Sequence, residues 1–417
     1  MSARRWSLLV LAAGCSATNP LYEPSTGGGS GSGGATGPAT TVGSDSIGGT
    51  SQGATGDGTV TDSGLSSTGA EESDSTEGEP DCRGLVHVQL SESTKPQVPR
   101  PVPTPAGPVV FFVDSNLAAG AMLSVARFFD GVQPGIEELA GPWAVDRSFI
   151  MAAGGAGLGV VLDSPAVLLT VEPGLGVIEE RPLYGLDQFT ISGLVRMGSD
   201  WLIPTIGGED FVLLRYPDGL QMNDVGIPET GVSWVAGGGD EDGVVYIYRL
   251  ASGPTCFAMS LTPTSDEFGK ADLLTAGECL APTLAFVNGS GGLATYYRGE
   301  EGPSTILGQR LGPTGLPLNA GGEFVIASGE DLHHPAVQRL PSGNYWVVWD
   351  DEGAMQAAEL DGADPSVLLH DTTHFGGPTT FRKRTFVVDG HPAVAFHLAS
   401  ANAEGIGVHV VIDCDAG

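Results

Sequence analysis

The chain is poor in positive charge. It has 18 lysines and arginines against 50 aspartates and glutamates, a formal net charge of −32 at pH 7 over 417 residues. Lysine occurs only at positions 95, 270 and 383. Because nucleic acids and anionic lipid surfaces are bound by clustered lysine and arginine, we expect neither a nucleic-acid partner nor attraction to anionic headgroups.

Long apolar runs and catalytic motifs are also missing. Beyond the short run Trp6–Ala13, no stretch approaches the roughly 20 residues of a membrane-spanning helix. No Gly-x-Ser-x-Gly elbow follows a strand, and no glycine-rich phosphate loop lies between a strand and a helix. The Ser-x-Asp-x-Gly-x-Thr-Trp boxes of a sialidase-like enzyme do not occur. The sequence therefore points to no particular enzyme class.

The N-terminus carries the most specific pattern of the chain. Arg4 and Arg5 precede the apolar run, and the tetrapeptide Ala12-Ala13-Gly14-Cys15 follows it. This order is typical of a bacterial lipoprotein signal peptide that ends in a lipobox. It predicts a signal peptide at 1–14 and a lipid anchor on Cys15. The alternative is an ordinary secretory signal with a cysteine at this place by chance.

Residues 15–81 are predicted to form a disordered, acidic tether behind the lipidated cysteine. The segment consists mainly of Gly, Ser, Thr and acidic residues, with no lysine or arginine. Such a composition cannot bury enough apolar surface to offset its ordering entropy. A flexible chain of roughly 65 residues has a root-mean-square reach of about 45 Å.

The lipobox and tether resemble surface lipoproteins of the myxobacterial type. Ser16, the residue after the predicted anchor, resembles the signal for outer-membrane sorting. We therefore expect the protein to be located in the cell envelope, at the outer membrane.

Residues 82–417 contain seven repeated hairpin signals, each a pair of apolar-rich strands around a Gly, Asp or Asn turn. Their turns lie roughly 40 to 52 residues apart, which is the length of a propeller blade. The hairpins are Val109–Phe129, Phe149–Leu162, Leu194–Ile206, Val232–Tyr248, Thr283–Tyr297, Val337–Trp349 and Thr385–Phe396.

A third strand and a further turn follow several of these hairpins, as in Glu359-Leu360-Asp361-Gly362. Four strands per unit, A to D, predict an all-β chain folded as a β-propeller of seven four-stranded blades, with six or eight blades as alternatives. The stretch from Ile306 to Asp351 resembles the Trp-x-Asp-type propeller repeats of secreted bacterial proteins. Those repeats imply no particular activity.

The two ends of this domain predict how the ring closes. The seventh unit stops after its third strand, Gly407–Asp413, and Leu85–Leu90 alternates as a strand that could supply the fourth. Antiparallel pairing would bring Cys82 beside Cys414. In another unit Cys256 opens the third strand and Cys279 closes the fourth, and antiparallel pairing brings those two ends together as well. Four cysteines allow three pairings, and this topology favours Cys82–Cys414 with Cys256–Cys279. The alternative is four unpaired, buried cysteines.

The D–A and B–C connections of a propeller lie on one face, which we call the loop face. Most B–C connections here are acidic, and such a rim could bind a cation, a sugar or a basic protein surface. The predicted residues of this face are Asp163, Glu209, Asp210, Arg249, Arg298, Glu300, His334, Asp350, Asp351 and His397.

Histidine is concentrated near the C-terminus, between His333 and His409. The predicted register places His370 and His374 in a D–A loop. With His334 and Asp350 they make a candidate metal site for Zn²⁺ or a similar divalent cation, the one cofactor that the sequence suggests. The alternative is a chance collection of surface histidines.

These patterns favour a lipid-anchored binding or scaffold module for an envelope protein or glycan. One rival is an extracellular glycan hydrolase that uses carboxylates of the loop face. Another is a structural spacer, in which no residue of that face matters more than its neighbours. The sequence favours binding over catalysis and leaves the ligand open.

Overall fold

The protein is described by a computed structural model. It describes residues 17–18, 83–91, 98–116, 120–129, 131–143, 149–153, 158–162, 166–171, 177–183, 190–207, 210–216, 223–240, 242–262, 272–275, 277–299, 302–319, 322–352, 354–375, 383–399 and 404–413. Signal residues 1–14, the predicted anchor Cys15 and almost all of the predicted tether lie outside these ranges. Within them, no helix has the length and apolar character needed to cross a membrane.

The described strands form seven antiparallel sheets. Two strands precede the first blade, β1 (Ala17–Thr18) and β2 (Arg83–Ser91). Blades 1 to 3 contain β3 (Arg100–Val102), β4 (Val109–Asn116), β5 (Gly120–Arg127), β6 (Gly135–Trp143); β7 (Phe149–Ala153), β8 (Leu158–Leu162), β9 (Val167–Val171), β10 (Val177–Pro182); and β11 (Thr190–Ile191), β12 (Val195–Met197), β13 (Asp200–Gly207), β14 (Asp210–Tyr216), β15 (Asn223–Thr230).

The remaining four blades follow in chain order. They contain β16 (Val232–Asp240), β17 (Gly243–Leu250), β18 (Cys256–Leu261), β19 (Asp272–Leu273); β20 (Leu280–Val287), β21 (Gly291–Arg298), β22 (Ser304–Leu311), β23 (Glu323–Gly329); β24 (Leu332–Arg339), β25 (Tyr345–Asp351), β26 (Ala354–Leu360), β27 (Leu368–Phe375); and β28 (Lys383–Val388), β29 (His391–Ala399), β30 (Glu404–Asp413), with β2.

The sheets close into a ring. The inner strands β3, β7, β12, β16, β20, β24 and β28 contact one another in this order, and β28 contacts β3 again. The domain is therefore a seven-bladed β-propeller, as the repeat predicts. Ala17–Thr18, inside the predicted tether, pair with Gly237 and Ala236 of the inner strand β16.

The N-terminal strand closes the ring as expected. β2 pairs with β30 as the outermost strand of blade 7, with Arg83 opposite Asp413 and Val88 opposite Val408. The neighbouring Cys82 and Cys414 lie outside the described residues, so their pairing stays a prediction. Because β2 and β30 come from opposite ends of the domain, their hydrogen bonds hold the first and last blades together.

Blade 1 differs from the sequence prediction. Val109–Asn116 and Gly120–Arg127 are its second and third strands, because Arg100–Val102 forms a short innermost strand. Pro101 obscures this strand in the sequence, since proline cannot donate to a sheet ladder. The structure tolerates it because β3 pairs with β4 on one side only.

The core lies between the blades. Trp349 packs with Val347 between blades 5 and 6, whereas Trp346 and Val348 pack between blades 6 and 7. Alternate side chains of a strand point to opposite faces of the sheet. The run Tyr345–Trp349 is therefore continuously apolar because both faces of blade 6 are covered.

Candidate functional site

Several residues predicted for the loop face lie next to B–C connections in the observed topology. Arg249, Arg298 and His397 lie at or near the ends of second strands, next to B–C connections. Asp350 and Asp351 end β25 in the same way. Asp210 begins β14, and its side chain is not described. Asp163, Glu209 and Glu300 lie outside the described residues, so their part in this face stays a prediction.

Three charged or titratable side chains meet between blades 6 and 7 on this face, and we call them the polar cluster. Lys383 Nζ lies 2.6 Å from Asp350 Oδ1. His334 Nδ1 lies 3.4 Å from the other oxygen of the same carboxylate. Asp350 therefore contacts a cation from the next blade and an imidazole from the adjacent strand.

A bulge at the start of β24 positions His334. The pairing of β24 with β25 shifts between His333 and Ala336, so that His334 and Pro335 together lie opposite the single residue Trp349, and β24 carries one extra residue there. His334 has φ 48°, a left-handed conformation uncommon for a residue other than glycine. Thr283 Oγ1 of blade 5 donates a hydrogen bond to Pro335 O at 3.2 Å, which anchors the bulge to the neighbouring blade.

Burial distinguishes the members of the polar cluster. The side chain of Lys383 is 1% exposed, that of Asp350 is 11% exposed and that of His334 is 27% exposed. Burial lowers the pKa of Lys383, because desolvation penalises its charged form, and the nearby Asp350 carboxylate opposes that shift. Burial also lowers the pKa of the next residue, Arg384, to about 10. Within the cluster, His334 is thus the most solvent-accessible member.

A second histidine adjoins the polar cluster. His333 Nε2 lies 2.6 Å from Asp331 Oδ1, and its ring meets the Tyr297 ring edge-on at a centroid distance of 4.9 Å. The Tyr297 ring also lies 5.7 Å from that of His334. Blades 5, 6 and 7 therefore all contribute polar or aromatic side chains to one region of the loop face.

The predicted placement of His370 and His374 is wrong. Both lie inside β27, the outermost strand of blade 6, and not in a D–A loop. Three strand spacings, about 14 Å, separate that strand from β24 and His334. The glycine- and proline-rich sequence after Phe375 suggests a loop, but the strand extends up to it. Among the residues whose side chains are described, no three His, Cys, Asp or Glu are grouped to hold a metal ion.

Other predicted residues of the loop face have separate partners. Asp351 accepts a hydrogen bond from Gln356, and Arg249 Nε donates one to Ser233 Oγ at 3.3 Å. Arg298 forms an ion pair with Glu323 at 3.0 Å and donates to Glu278 O at 3.2 Å. These contacts lie within a blade or at the junction of blades 4 and 5.

The junction of blades 4 and 5 is also held by a disulfide. Cys256 and Cys279 are bonded, with their Cα atoms 5.9 Å apart, as predicted. Cys279 lies in the connection before β20 rather than in the fourth strand of blade 4. Nearby, Arg298 Nη2 lies 3.3 Å from Thr275 Oγ1. Burial acts to raise the pKa of Glu323, but hydrogen bonds from Thr275, Arg298 and Tyr296 together outweigh it, so the pKa lies below its ordinary value.

Sequence reasoning named His334 and Asp350 as candidates and did not name Lys383, which contacts Asp350. Lys383 is the first residue of β28, 33 positions after Asp350, and no local pattern connects the two. Its rarity was the available signal, because the chain has three lysines. A lysine at the start of a predicted inner strand on the loop face is a candidate partner for an acidic B–C connection.

No known protein family matches the chain, and no curated protein matches it. Among solved structures, hydrazine synthase of Kuenenia stuttgartiensis is similar at 12% identity and a TM-score of 0.49, covering 76% of this chain and 95% of that chain. The β-propeller domain of Cps50 (Swd1) from Myceliophteria thermophila has 10% identity and a TM-score of 0.44, with 78% and 99% covered. The WD40 β-propeller domain of Doa1 has 12% identity and a TM-score of 0.44, with 80% and 99% covered. Such distant similarities say nothing about function.

Proposed function

We propose that this chain is a lipid-anchored envelope protein whose propeller binds a glycan or a protein partner through the loop face of blades 5 to 7. The observation that carries the proposal is the convergence of Tyr297, His334, Asp350 and Lys383 from three blades. A few convergent polar groups at a partly exposed site can fix the orientation of a bound ligand.

The rest of the proposal comes from the sequence. The lipobox at Ala12–Cys15 supports an anchor on Cys15, and Ser16 supports the outer membrane. The low content of lysine and arginine argues against nucleic acid. The anchored chain would display its propeller to ligands outside the cytoplasm.

The alternative of glycan hydrolysis gains no support from the acidic pair of blade 6. A glycosidase needs two carboxyl groups that flank one bond. Asp350 contacts Lys383, whereas Asp351 accepts a hydrogen bond from Gln356. The two carboxylates thus have different partners, and binding is the better-supported function.

A thermal-shift screen of the full-length chain tests the proposal. The panel consists of envelope sugars, divalent cations and EDTA, and a ligand of the native state raises Tm with concentration. We expect a sugar hit that His334→Ala abolishes and His391→Ala, in the opposite A–B hairpin of blade 7, retains. A sugar hit unaffected by His334→Ala and Asp350→Ala would overturn the assigned site. If no sugar raises Tm, crosslinking in envelope membranes decides, and partners captured equally by wild type and His334→Ala would contradict the proposal.

A further inference from the structure

Two histidines face each other across the strand pair that closes the ring. His87 of β2 lies directly opposite His409 of β30. Opposed residues of an antiparallel pair present their side chains on the same face of the sheet. The two imidazole rings have centroids 4.9 Å apart and an interplanar angle of 48°. This pair is separate from the loop-face residues described above.

The separation of these rings matches that of two histidines that share one metal ion. With a Zn–N distance of about 2.0–2.1 Å, the ion lies about 3.2 Å from each ring centroid. A tetrahedral angle at the metal then places the two centroids about 5 Å apart. The observed 4.9 Å agrees with this value.

The surroundings hold one ring and leave the other accessible. Phe396 stacks on His409 with centroids 4.5 Å apart and an interplanar angle of 18°. His409 is 7% exposed, whereas His87 is exposed. Gly407 allows this packing, because a Cβ there would lie 2.9 Å from Phe396 Cζ and 3.0 Å from His87 Cε1. One ligand is thus positioned by the core and the other faces solvent.

We propose that His87 and His409 bind a divalent transition-metal ion, such as Zn²⁺, Ni²⁺ or Cu²⁺, across the closing strand pair. Imidazole nitrogen suits these ions, and Cu²⁺ binds most tightly in the usual order of affinities. The protein supplies two ligands, so water completes the coordination. The bound ion clamps β2 to β30, and β2 is what joins the start of the domain to its last blade.

The protonation of His409 is compatible with this role. Burial, and secondarily the nearby His87, lower the pKa of His409 to about 4. The ring is therefore neutral at pH 7, as metal binding requires. Acidification that protonates His409 releases the ion.

Thermal unfolding of the EDTA-treated full-length chain with added Zn²⁺ tests the site. We expect Tm to rise with Zn²⁺ concentration, because the ion binds the folded ring. His87→Gln should abolish the shift, while His391→Gln, on the A–B hairpin of the same blade, and His334→Ala, on the loop face, should retain it. No shift in wild type, or a shift retained in His87→Gln, overturns the proposal. Loss of the shift in His334→Ala alone would instead assign the ion to the loop face.

Electron paramagnetic resonance of bound Cu²⁺ tests the same site on the wild-type chain. We expect hyperfine coupling to two imidazole nitrogens, reduced to at most one in His87→Gln. A Cu²⁺ spectrum without coupled nitrogen, or one identical in both proteins, overturns the proposal. The wild-type spectrum does not depend on the folding of any variant, and absence of coupled nitrogen in that spectrum is enough to overturn the proposal.

Discussion

Two junctions between blades hold buried polar groups, and they do so differently. Between blades 4 and 5, a disulfide joins Cys256 to Cys279, and Arg298 has Glu323, Thr275 and a backbone carbonyl as partners. Between blades 6 and 7, the described partner of the Lys383 ammonium is Asp350. The first junction is a covalently held, well-satisfied network, whereas the second buries a charge with few partners.

This contrast suggests different roles for the two junctions. A buried ion pair often stabilises a protein no more than an apolar replacement, because desolvation offsets the Coulomb attraction. Loss of one partner is nevertheless costly, because it leaves the other charge buried. We therefore expect the junction of blades 4 and 5 to contribute to stability, and we take that of blades 6 and 7 as the better candidate for binding.

The largest effect should come from removing Asp350. Asp350→Ala leaves Lys383 buried without its carboxylate, so we expect the free energy of unfolding to fall by about 3–5 kcal/mol. Urea unfolding of the full-length chain measures this change. Asp351→Ala is the matched control and should cost less than about 1 kcal/mol, because Asp351 is half-buried and hydrogen-bonded within its own blade. Equal losses in both variants would contradict the distinction between the two carboxylates.

The disulfide variant tests the other junction. Cys256→Ala with Cys279→Ala should lower the free energy of unfolding by about 3 kcal/mol, because the bond closes a loop across a separation of 23 residues. Ligand binding at the loop face should remain. Urea unfolding measures the first effect and the thermal-shift screen the second. Loss of binding with the fold intact would show that the two junctions are coupled.

A pH titration tests the outer edge of the junction of blades 6 and 7, where His409 packs on Phe396. The pKa of His409 is about 4 in the folded chain against 6.5 for the free side chain. Between these values the unfolded chain binds more protons, so stability is lost as pH falls from about 6.5 to 4, by at most about 3 kcal/mol.

Urea unfolding at pH 7 and pH 4.5, in the presence of EDTA, follows this loss. His409→Leu should show a smaller difference between the two pH values than wild type. His391→Gln is the control and should behave like wild type. An unchanged difference in His409→Leu would assign the acid sensitivity to other groups.

Local sequence signals predicted much of the fold. Hairpin turns such as Asn288-Gly289 mark the repeat, and Leu85–Leu90 shows the alternation of the closing strand. Prediction failed where the local signal was weak or contradictory. β3 is three residues long and contains Pro101, and the Gly376-Gly377-Pro378 segment after β27 suggested a loop for His370 and His374.

The sequence by itself indicated the repeat and the closing strand, and it favoured seven blades and the Cys256–Cys279 bond, because alternation, turns and strand order are local or topological properties. Only the tertiary structure decided that Lys383 meets Asp350 and that His87 faces His409 with a ring separation suited to a metal ion. The physical reason is distance along the chain. Contacts between blades, and across the closing strands, depend on how the ring packs, which no short window of sequence encodes.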